Sequence, residues 1–209
     1  SRSATISANG FWRRPAGSTR TSRLSFDVDD ALRRLKPQRR RRRFQVRDAA
    51  GLPLAGGAAP DGPVLLDSCV YIHAGTSRLP PAAQALLIRR PIFHCAVCIG
   101  ELAHGLGALR PDDPRSAGRG RFIRDALARI PDHRVLTPDD AIWGMAGMLS
   151  GMLARTQDCN EPQRRKLLND CLILLTARKH GQILLTANIA DFDLISQIVG
   201  DARLVYYRA

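Results

Sequence analysis

Short apolar runs alternate with longer amphipathic segments from about residue 63 to the C-terminus. The runs predict short buried strands at 64–67, 91–95, 134–136, 182–186 and 203–207. The segments between them predict helices at 81–90, 99–109, 121–130, 138–155, 162–180 and 190–199. Short strands that alternate with helices are typical of a parallel sheet with helices on both faces. We therefore predict an α/β fold.

The helix predicted at 138–155 has a defined start. Thr137 provides a cap, Pro138 occupies the first helical position, and Asp139 and Asp140 lie at the positive end of the helix dipole. We expect a polar loop upstream, at 111–120. The apolar part of this helix is shorter than a bilayer span and rich in Gly and Met, so we expect a packed helix and no membrane partner.

The N-terminal part of the chain, which has 209 residues in all, differs in composition from the rest. Ser, Arg, Thr and Gly dominate residues 1–25, which we expect to be disordered. A short helix is expected within 26–36, and the Gly-, Ala- and Pro-rich segment 51–63 is predicted to be a linker. The chain therefore divides into a disordered, Arg-rich arm and linker at 1–62 and a folded domain at 63–209.

Positive charge is concentrated in the same arm. The formal net charge is +13, of which the first 60 residues carry +10. The densest part is a run of five arginines: Arg39, Arg40, Arg41, Arg42 and Arg43. Such a run is solvated and can contact nucleic-acid phosphates without reading sequence.

The five cysteines are irregularly spaced, which excludes a disulfide framework and favours a reducing, cytoplasmic compartment. Cys95 and Cys98 have the spacing of a zinc or redox pair. No second ligand pair and no redox context accompany them, so we interpret both as structural.

Four acidic residues end or interrupt apolar runs. Asp67 ends the first predicted strand and Asp191 follows the fourth, while Glu101 and Asp170 lie in predicted helices. Carboxylates are rarely buried unless they are paired or bind a metal, and the carboxyl ends of parallel strands share one edge. We therefore predict a site for Mg²⁺ or Mn²⁺, which prefer oxygen ligands. Paired ions of this kind support hydrolysis of phosphodiesters.

Four segments around these acids are similar to the motifs of one known family. They are LLDSCVYI at 65–72, ELAHG at 101–105, NDCLI at 169–173 and LLTANIADF at 184–192. In this order they resemble the motifs of PIN-domain nucleases, and the resemblance covers about residues 63–207. Within that family the chain looks most like the VapC-type toxins of type II toxin–antitoxin systems.

The resemblance implies an Mg²⁺- or Mn²⁺-dependent endoribonuclease that acts on RNA, is restrained by a cognate antitoxin protein and forms a homodimer. The metal-binding acids of the family match four residues here: Asp67, Asp170, Glu101 and Asp191. Thr186 and Asn188 match the polar residues that orient Asp191. Asp193 is an additional acid, which we expect to face solvent, or to replace Asp191 if the loop is shifted.

Several alternatives are weighed against this interpretation. A non-catalytic RNA-binding or regulatory protein could use the same scaffold, although it would not need all four acids. An Asp-nucleophile phosphatase is disfavoured because no second Asp lies two residues after Asp67. Asp170 could pair locally with Lys166. Finally, Arg39–Arg43 could fold back into the acidic pocket, since the charges are complementary.

Overall fold

A five-stranded parallel sheet forms the centre of the computed structural model, which describes residues 24–57 and 59–209. The strands are β1 (Val64–Leu66), β2 (Ile92–Cys95), β3 (Val135–Leu136), β4 (Ile183–Thr186) and β5 (Leu204–Tyr206). Their order across the sheet is β3-β2-β1-β4-β5. Strands β1, β4 and β5 are buried along their whole length, as expected for apolar runs without alternation.

Eight α-helices of the described residues flank this sheet. They are α1 (Val28–Leu35), α2 (Ser68–Gly75), α3 (Pro81–Arg89), α4 (Ala96–Gly107), α5 (Ser116–Ala128), α6 (Asp140–Gln157), α7 (Glu161–Lys179) and α8 (Ile189–Val199). Helices α6 and α7 pack along each other, and α7 also contacts α4 and α8. The predicted parallel α/β fold is confirmed. No helix in the described part of the chain is long and apolar enough to cross a bilayer.

Helix α2 is an element that the pattern does not predict. Its first turns contain Val70, Tyr71 and Ile72, residue types that are enriched in strands. Its N-terminus is fixed instead by Asp67, whose side chain accepts a hydrogen bond from the backbone N–H of Ser68. The cap therefore outweighs the local propensity.

Two other helices begin where the pattern does not place them. Helix α5 begins at Ser116, inside the segment predicted to be a loop. Helix α6 begins at Asp140 because the side chain of Asp139 accepts a hydrogen bond from Ile142 N at 3.0 Å. Asp139, and not Thr137, is therefore the cap.

The described part of the N-terminal arm contacts the domain. Helix α1 packs against α6, and Phe26 approaches Gly144 so closely that a Cβ there would lie 2.2 Å from the ring. Further along, the arm adds to the edge of the sheet, where Tyr206 N donates to Pro53 O at 2.8 Å. The disorder predicted for 1–25 falls almost entirely on residues outside the described part. The domain division at residue 62 stays a prediction.

Asp193 is fully buried, so the prediction that it faces solvent is wrong. Its Oδ1 lies 2.6 Å from Arg47 Nη2, and its Oδ2 accepts from the backbone N–H of Arg47 at 2.8 Å. Gln197 Nε2 donates to the same Oδ2 at 2.9 Å. The partner comes from the arm, 146 residues away in sequence, and local spacing cannot reveal such a pairing.

Replacing Arg47 by Ala is expected to lower the free energy of unfolding by about 2 kcal/mol. The buried Asp193 carboxylate would keep only the Arg47 backbone N–H and Gln197 as donors. The loss is moderated because the Arg47 side chain is 47% exposed, so water can reach the gap. Urea unfolding measures the effect, with Arg42→Ala as an exposed arm control. Equal losses in both variants would contradict a specific role for the Arg47–Asp193 pair.

Candidate metal centre

The first predicted carboxylate lies where the central strand β1 ends. Asp67 is 3% exposed and follows Leu66, which pairs with Leu185 of β4. Its Oδ1 accepts a hydrogen bond from Ser68 N at 2.7 Å, and its Oδ2 accepts one from Thr186 Oγ1 at 2.6 Å. A carboxylate held by two strong donors is fixed in orientation and retains lone pairs for a cation.

Thr186 and Asn188 connect the carboxylates to one another. The Thr186 hydroxyl donates to Asp67, although the resemblance implies Asp191 as its partner. The same hydroxyl accepts a hydrogen bond from Asn188 N at 2.9 Å. Asn188 Nδ2 lies 3.0 Å from Asp191 Oδ2 and 3.2 Å from Asp170 Oδ2. One amide thus bridges two acids, and one hydroxyl holds a third.

Asp170, on α7, is a buried carboxyl group among other acids. It is 4% exposed. Burial raises the pKa of Asp170 well above its usual range, and the nearby charges of Asp67 and Asp191 raise it further. The charge of Lys166 acts in the opposite direction. In the absence of a metal, the site therefore favours a proton on Asp170.

Lys166 places a positive charge inside the acidic cluster. Its Nζ lies 2.6 Å from Asp191 Oδ2, so it bonds Asp191 on α8 and not Asp170, one turn away. Burial opposes the charged ammonium, but this bond and the charge of Asp170 raise the pKa of Lys166 above its usual value. Burial also opposes the Asp191 carboxylate, but hydrogen bonds from Lys166 and Asn188 lower its pKa. The pair is therefore ionised at neutral pH.

Glu101 reaches the cluster from α4. Its Oε1 accepts a hydrogen bond from Asn169 Nδ2 at 2.8 Å, which joins α4 to α7. Possible ligand atoms of Asp67, Glu101 and Cys98 all lie within 4.8 Å of one another. A hydrogen bond with Cys95 and burial raise the pKa of the Cys98 thiol well above its usual range. Mg²⁺ and Mn²⁺ prefer oxygen ligands to a thiol, so the two carboxylates are the groups of this trio that suit them.

A cavity of about 280 Å³ opens at the carboxyl ends of β1 and β4. Three of the predicted acids line it: Asp67, Glu101 and Asp170. Asp191 lies beside it and contacts two of the lining residues, Lys166 and Asn188. The four predicted acids thus come together in the fold, while their roles as metal ligands stay predictions.

The donor set suits a hard divalent cation. Mg²⁺ and Mn²⁺ prefer carboxylate oxygens, and the cavity is lined by three carboxyl groups. The raised pKa of Asp170 is evidence for the fit, because a cation would offset the repulsion that now favours a proton. Asp67, Asp170 and Glu101 would hold the ion, with Asp191 next to them.

Several residues of this site do not emerge from the sequence reasoning as members of it, among them Cys98, Lys166 and Asn169. Helical spacing is the signal that could have identified the first two. Cys98 lies one turn before Glu101, and Lys166 lies one turn before Asp170, so each pair shares a helix face. Asn169 directly precedes Asp170, and nothing local connects it to Glu101.

In the described part of the chain, the run Arg39–Arg43 contacts the domain at a place away from the acids. Arg43 donates to Gln157 O at 3.0 Å, at the end of α6. Within the arm, the Arg40 guanidinium lies 5.8 Å from the Phe44 ring centroid. Insertion of these arginines into the acidic pocket is therefore not supported, since Lys166 provides the contacting cation. Their contact with nucleic acid stays a prediction.

The metal-free protein is expected to lose stability as the pH rises above 3.8, the usual pKa of an Asp side chain. Because the folded-state pKa of Asp170 is raised, the folded protein keeps a proton that the unfolded chain has released. The free energy of unfolding therefore falls from the unfolded-state pKa up to the raised folded-state pKa. Urea unfolding in EDTA across this window measures the slope. Asp170→Asn should flatten it, and an unchanged slope in that variant would contradict the assignment.

The fold and the site together define a class of protein: a parallel α/β domain with acids at the carboxyl ends of its central strands. The family model of the PIN domain matches residues 64–196, more than half of the chain. The chain belongs to the PIN domain family. This confirms the family resemblance that the four motifs predict. No curated protein matches the chain.

Several solved structures are similar to this chain. VapBC2 from Rickettsia felis, bound to a DNA fragment from its promoter, has 14% identity and a TM-score of 0.46, covering 70% of this chain and 98% of its own. DNA-bound VapBC from Salmonella typhimurium has 17% identity and a TM-score of 0.47, with coverages of 70% and 98%. FitAcB from Neisseria gonorrhoeae has 17% identity and a TM-score of 0.45, with coverages of 68% and 96%.

Proposed function

We propose that this protein is a metal-dependent endoribonuclease, which hydrolyses phosphodiester bonds in RNA. One observation carries the proposal: within the segment that matches the PIN domain, three acids line one cavity and a fourth lies beside it. When bound, Mg²⁺ or Mn²⁺ supplies a Lewis acid that stabilises charge developing on the phosphate.

The residues of the site divide the work. Asp67, Asp170 and Glu101, which line the cavity, would hold the cation, with Asp191 next to them. Thr186 keeps Asp67 in place through the 2.6 Å hydrogen bond. The side-chain amide of Asn188 donates hydrogen bonds to both Asp170 and Asp191 and so fixes the distance between the two carboxyl groups.

The proposal extends to the biological setting. We propose that the protein is the toxin of a toxin–antitoxin pair, that a cognate antitoxin binds it, and that it forms a homodimer in the cytoplasm. The support is the likeness of its four motifs to those of VapC-type toxins. Expression of the wild type alone should arrest bacterial growth. Growth that is unaffected by an active nuclease would contradict the toxin assignment while leaving the enzyme assignment intact.

The test of the enzymatic activity is incubation of purified protein with a mixed RNA pool in Mg²⁺, in Mn²⁺ and in EDTA. We expect internal cleavage in the metals and none in EDTA, since the carboxylates need a cation to act on a phosphate. RNA binding without cleavage in any metal would favour the non-catalytic RNA-binding alternative.

Replacing Lys166 by Gln is expected to increase Mn²⁺ affinity about three- to tenfold. The ammonium contacts Asp191 and lies in the field of Asp170, so it competes electrostatically with a cation. Its 59% side-chain exposure limits the effect through solvent screening. Calorimetric titration measures the affinity. Lys179→Gln is the matched control, because Lys179 pairs with Asp139 outside the cluster. An affinity that falls in Lys166→Gln would contradict the competition.

A further inference from the structure

A second, larger cavity of about 650 Å³ adjoins the acidic one. It lies between α4, the start of α6 and the first half of α7. Glu101 and Lys166 line both cavities, so the two cavities lie side by side. Its volume is within the range of small-molecule sites, and no step in the proposed hydrolysis accounts for it.

An exposed aromatic side chain forms one wall of this second cavity. Trp143 lies in the first turn of α6 and is 50% exposed, whereas Ile142 beside it is 5% exposed and Ala146, one turn on, is fully buried. The apolar face of α6 is therefore directed into the core, and Trp143 is left outside it. A large indole surface in a cavity is available to stack on a flat partner.

A positive charge lies across the same cavity. Arg165 lines it together with Lys166, on the exposed first half of α7. Among the described residues Arg165 has no ion-pair partner, unlike its neighbour Arg164, which approaches Glu161. A guanidinium with free donors binds phosphate oxygens well.

We propose that this second cavity binds one unpaired nucleotide of the RNA, next to the phosphate that is cleaved. The base stacks on Trp143, and Arg165 binds a backbone phosphate. The inference rests on the proposed nuclease function. If the protein is a nuclease, the acidic cavity holds the scissile phosphate, next to the wall of Glu101 and Lys166 that the two cavities share. A base can stack on a side chain only when it is splayed out of a duplex, so the site selects single-stranded RNA.

The test uses Trp143 as its own reporter. The chain has two tryptophans, so Trp12→Phe leaves Trp143 alone. Titration with a short, mixed-sequence single-stranded RNA in EDTA keeps the RNA intact. We expect quenching of the Trp143 emission that saturates with RNA binding. Because variants at Trp143 lack the reporter, their affinity is measured by the fluorescence anisotropy of dye-labelled RNA. Trp143→Ala should weaken binding about 5- to 150-fold, the range for loss of one stacked base, and Trp143→Phe should restore most of it.

Two further variants make the test specific. Ile88 is 83% exposed on α3, and Ile88→Ala should leave RNA affinity unchanged. Arg165→Gln should weaken binding and reduce its salt dependence by about one phosphate contact.

Three outcomes would overturn the inference. The first is an unchanged Trp143 emission at saturating RNA, and the second is an equal response to duplex RNA. The third is an emission that changes with protein concentration in the absence of RNA, because a second copy of the chain bound to this face would cause such a change. Metal-dependent cleavage with a silent Trp143 would leave the nuclease standing and remove the nucleotide site. Saturable quenching without cleavage in any metal would support the nucleotide site and remove the nuclease.

Discussion

Replacing Asp67 and Asp170 together by Asn is expected to reduce metal-dependent RNA cleavage at least about a thousandfold. Both carboxyl groups line the same cavity, and both are nearly inaccessible to solvent, at 3% and 4% exposure. An amide keeps the size of each side chain but removes the negative charge that holds a cation. Cation stabilisation of a reacting phosphate is worth several kcal/mol, and each 1.36 kcal/mol changes the rate tenfold.

The fold of this double variant is expected to survive. Asn is as good a helix cap as Asp, so α2 can still begin after residue 67. At Asp170 the amide removes a carboxyl group whose charge is opposed by burial and by neighbouring acids. Loss of cleavage can therefore be separated from unfolding by a urea titration.

A charge-matched control is available on the surface. Asp61 and Asp112 have side-chain exposures of 106% and 67% and lie outside the acidic cavity. The Asp61→Asn/Asp112→Asn variant changes the net charge by the same amount and should cleave RNA like the wild type. Equal activities of the wild type and the Asp67→Asn/Asp170→Asn variant would contradict the assignment of the acids.

Replacing Thr186 by Val is expected to weaken Mn²⁺ binding about 10- to 100-fold, the usual effect of losing a group that orients a metal ligand. Thr186 is fully buried, and its hydroxyl is the 2.6 Å donor to Asp67 Oδ2. The Thr186 hydroxyl oxygen also accepts a hydrogen bond from the backbone N–H of Asn188, whose side-chain amide contacts Asp170. Val has a similar shape but can neither donate nor accept, so Asp67 and Asn188 both lose a constraint.

Thr176 provides the matched control for this variant. It is also fully buried, but its hydroxyl donates to Leu172 O within α7 at 2.7 Å. Thr176→Val therefore removes a comparable hydrogen bond without touching an acid. Calorimetric titration with Mn²⁺ should separate the two variants. Equal affinities in Thr186→Val and Thr176→Val would show that the Thr186–Asp67 contact does not organise the site.

Much of the sheet follows from local sequence. The runs around Leu65 and Leu184 are apolar without alternation, which is specific to strands buried on both faces, and both side chains are fully buried. The placement of Asp67 follows from the same argument, because a residue at the carboxyl end of a central parallel strand lies at the ligand-binding edge. Helix ends are less predictable, as at Asp139, where one side-chain hydrogen bond determines the start.

The contacts between distant segments are the part that local sequence cannot provide. Lys166 pairs with Asp191, although Asp170 is nearer in sequence, because α7 and α8 pack together. Asp193 resembles a surface acid in sequence, but the arm brings Arg47 to it. In both cases, the chain fold decides which of several available charges becomes the partner.

Binding of Mn²⁺ to the metal-free protein is the most direct test of the central claim, that the carboxyl groups around the acidic cavity form a metal site. The free ion is followed by electron paramagnetic resonance during a titration of wild type, the Asp67→Asn/Asp170→Asn variant and the Asp61→Asn/Asp112→Asn control. We predict saturable loss of the free-ion signal with the wild type and the control, and none with the cavity variant. Equal binding by all three proteins would contradict a metal site at these acids.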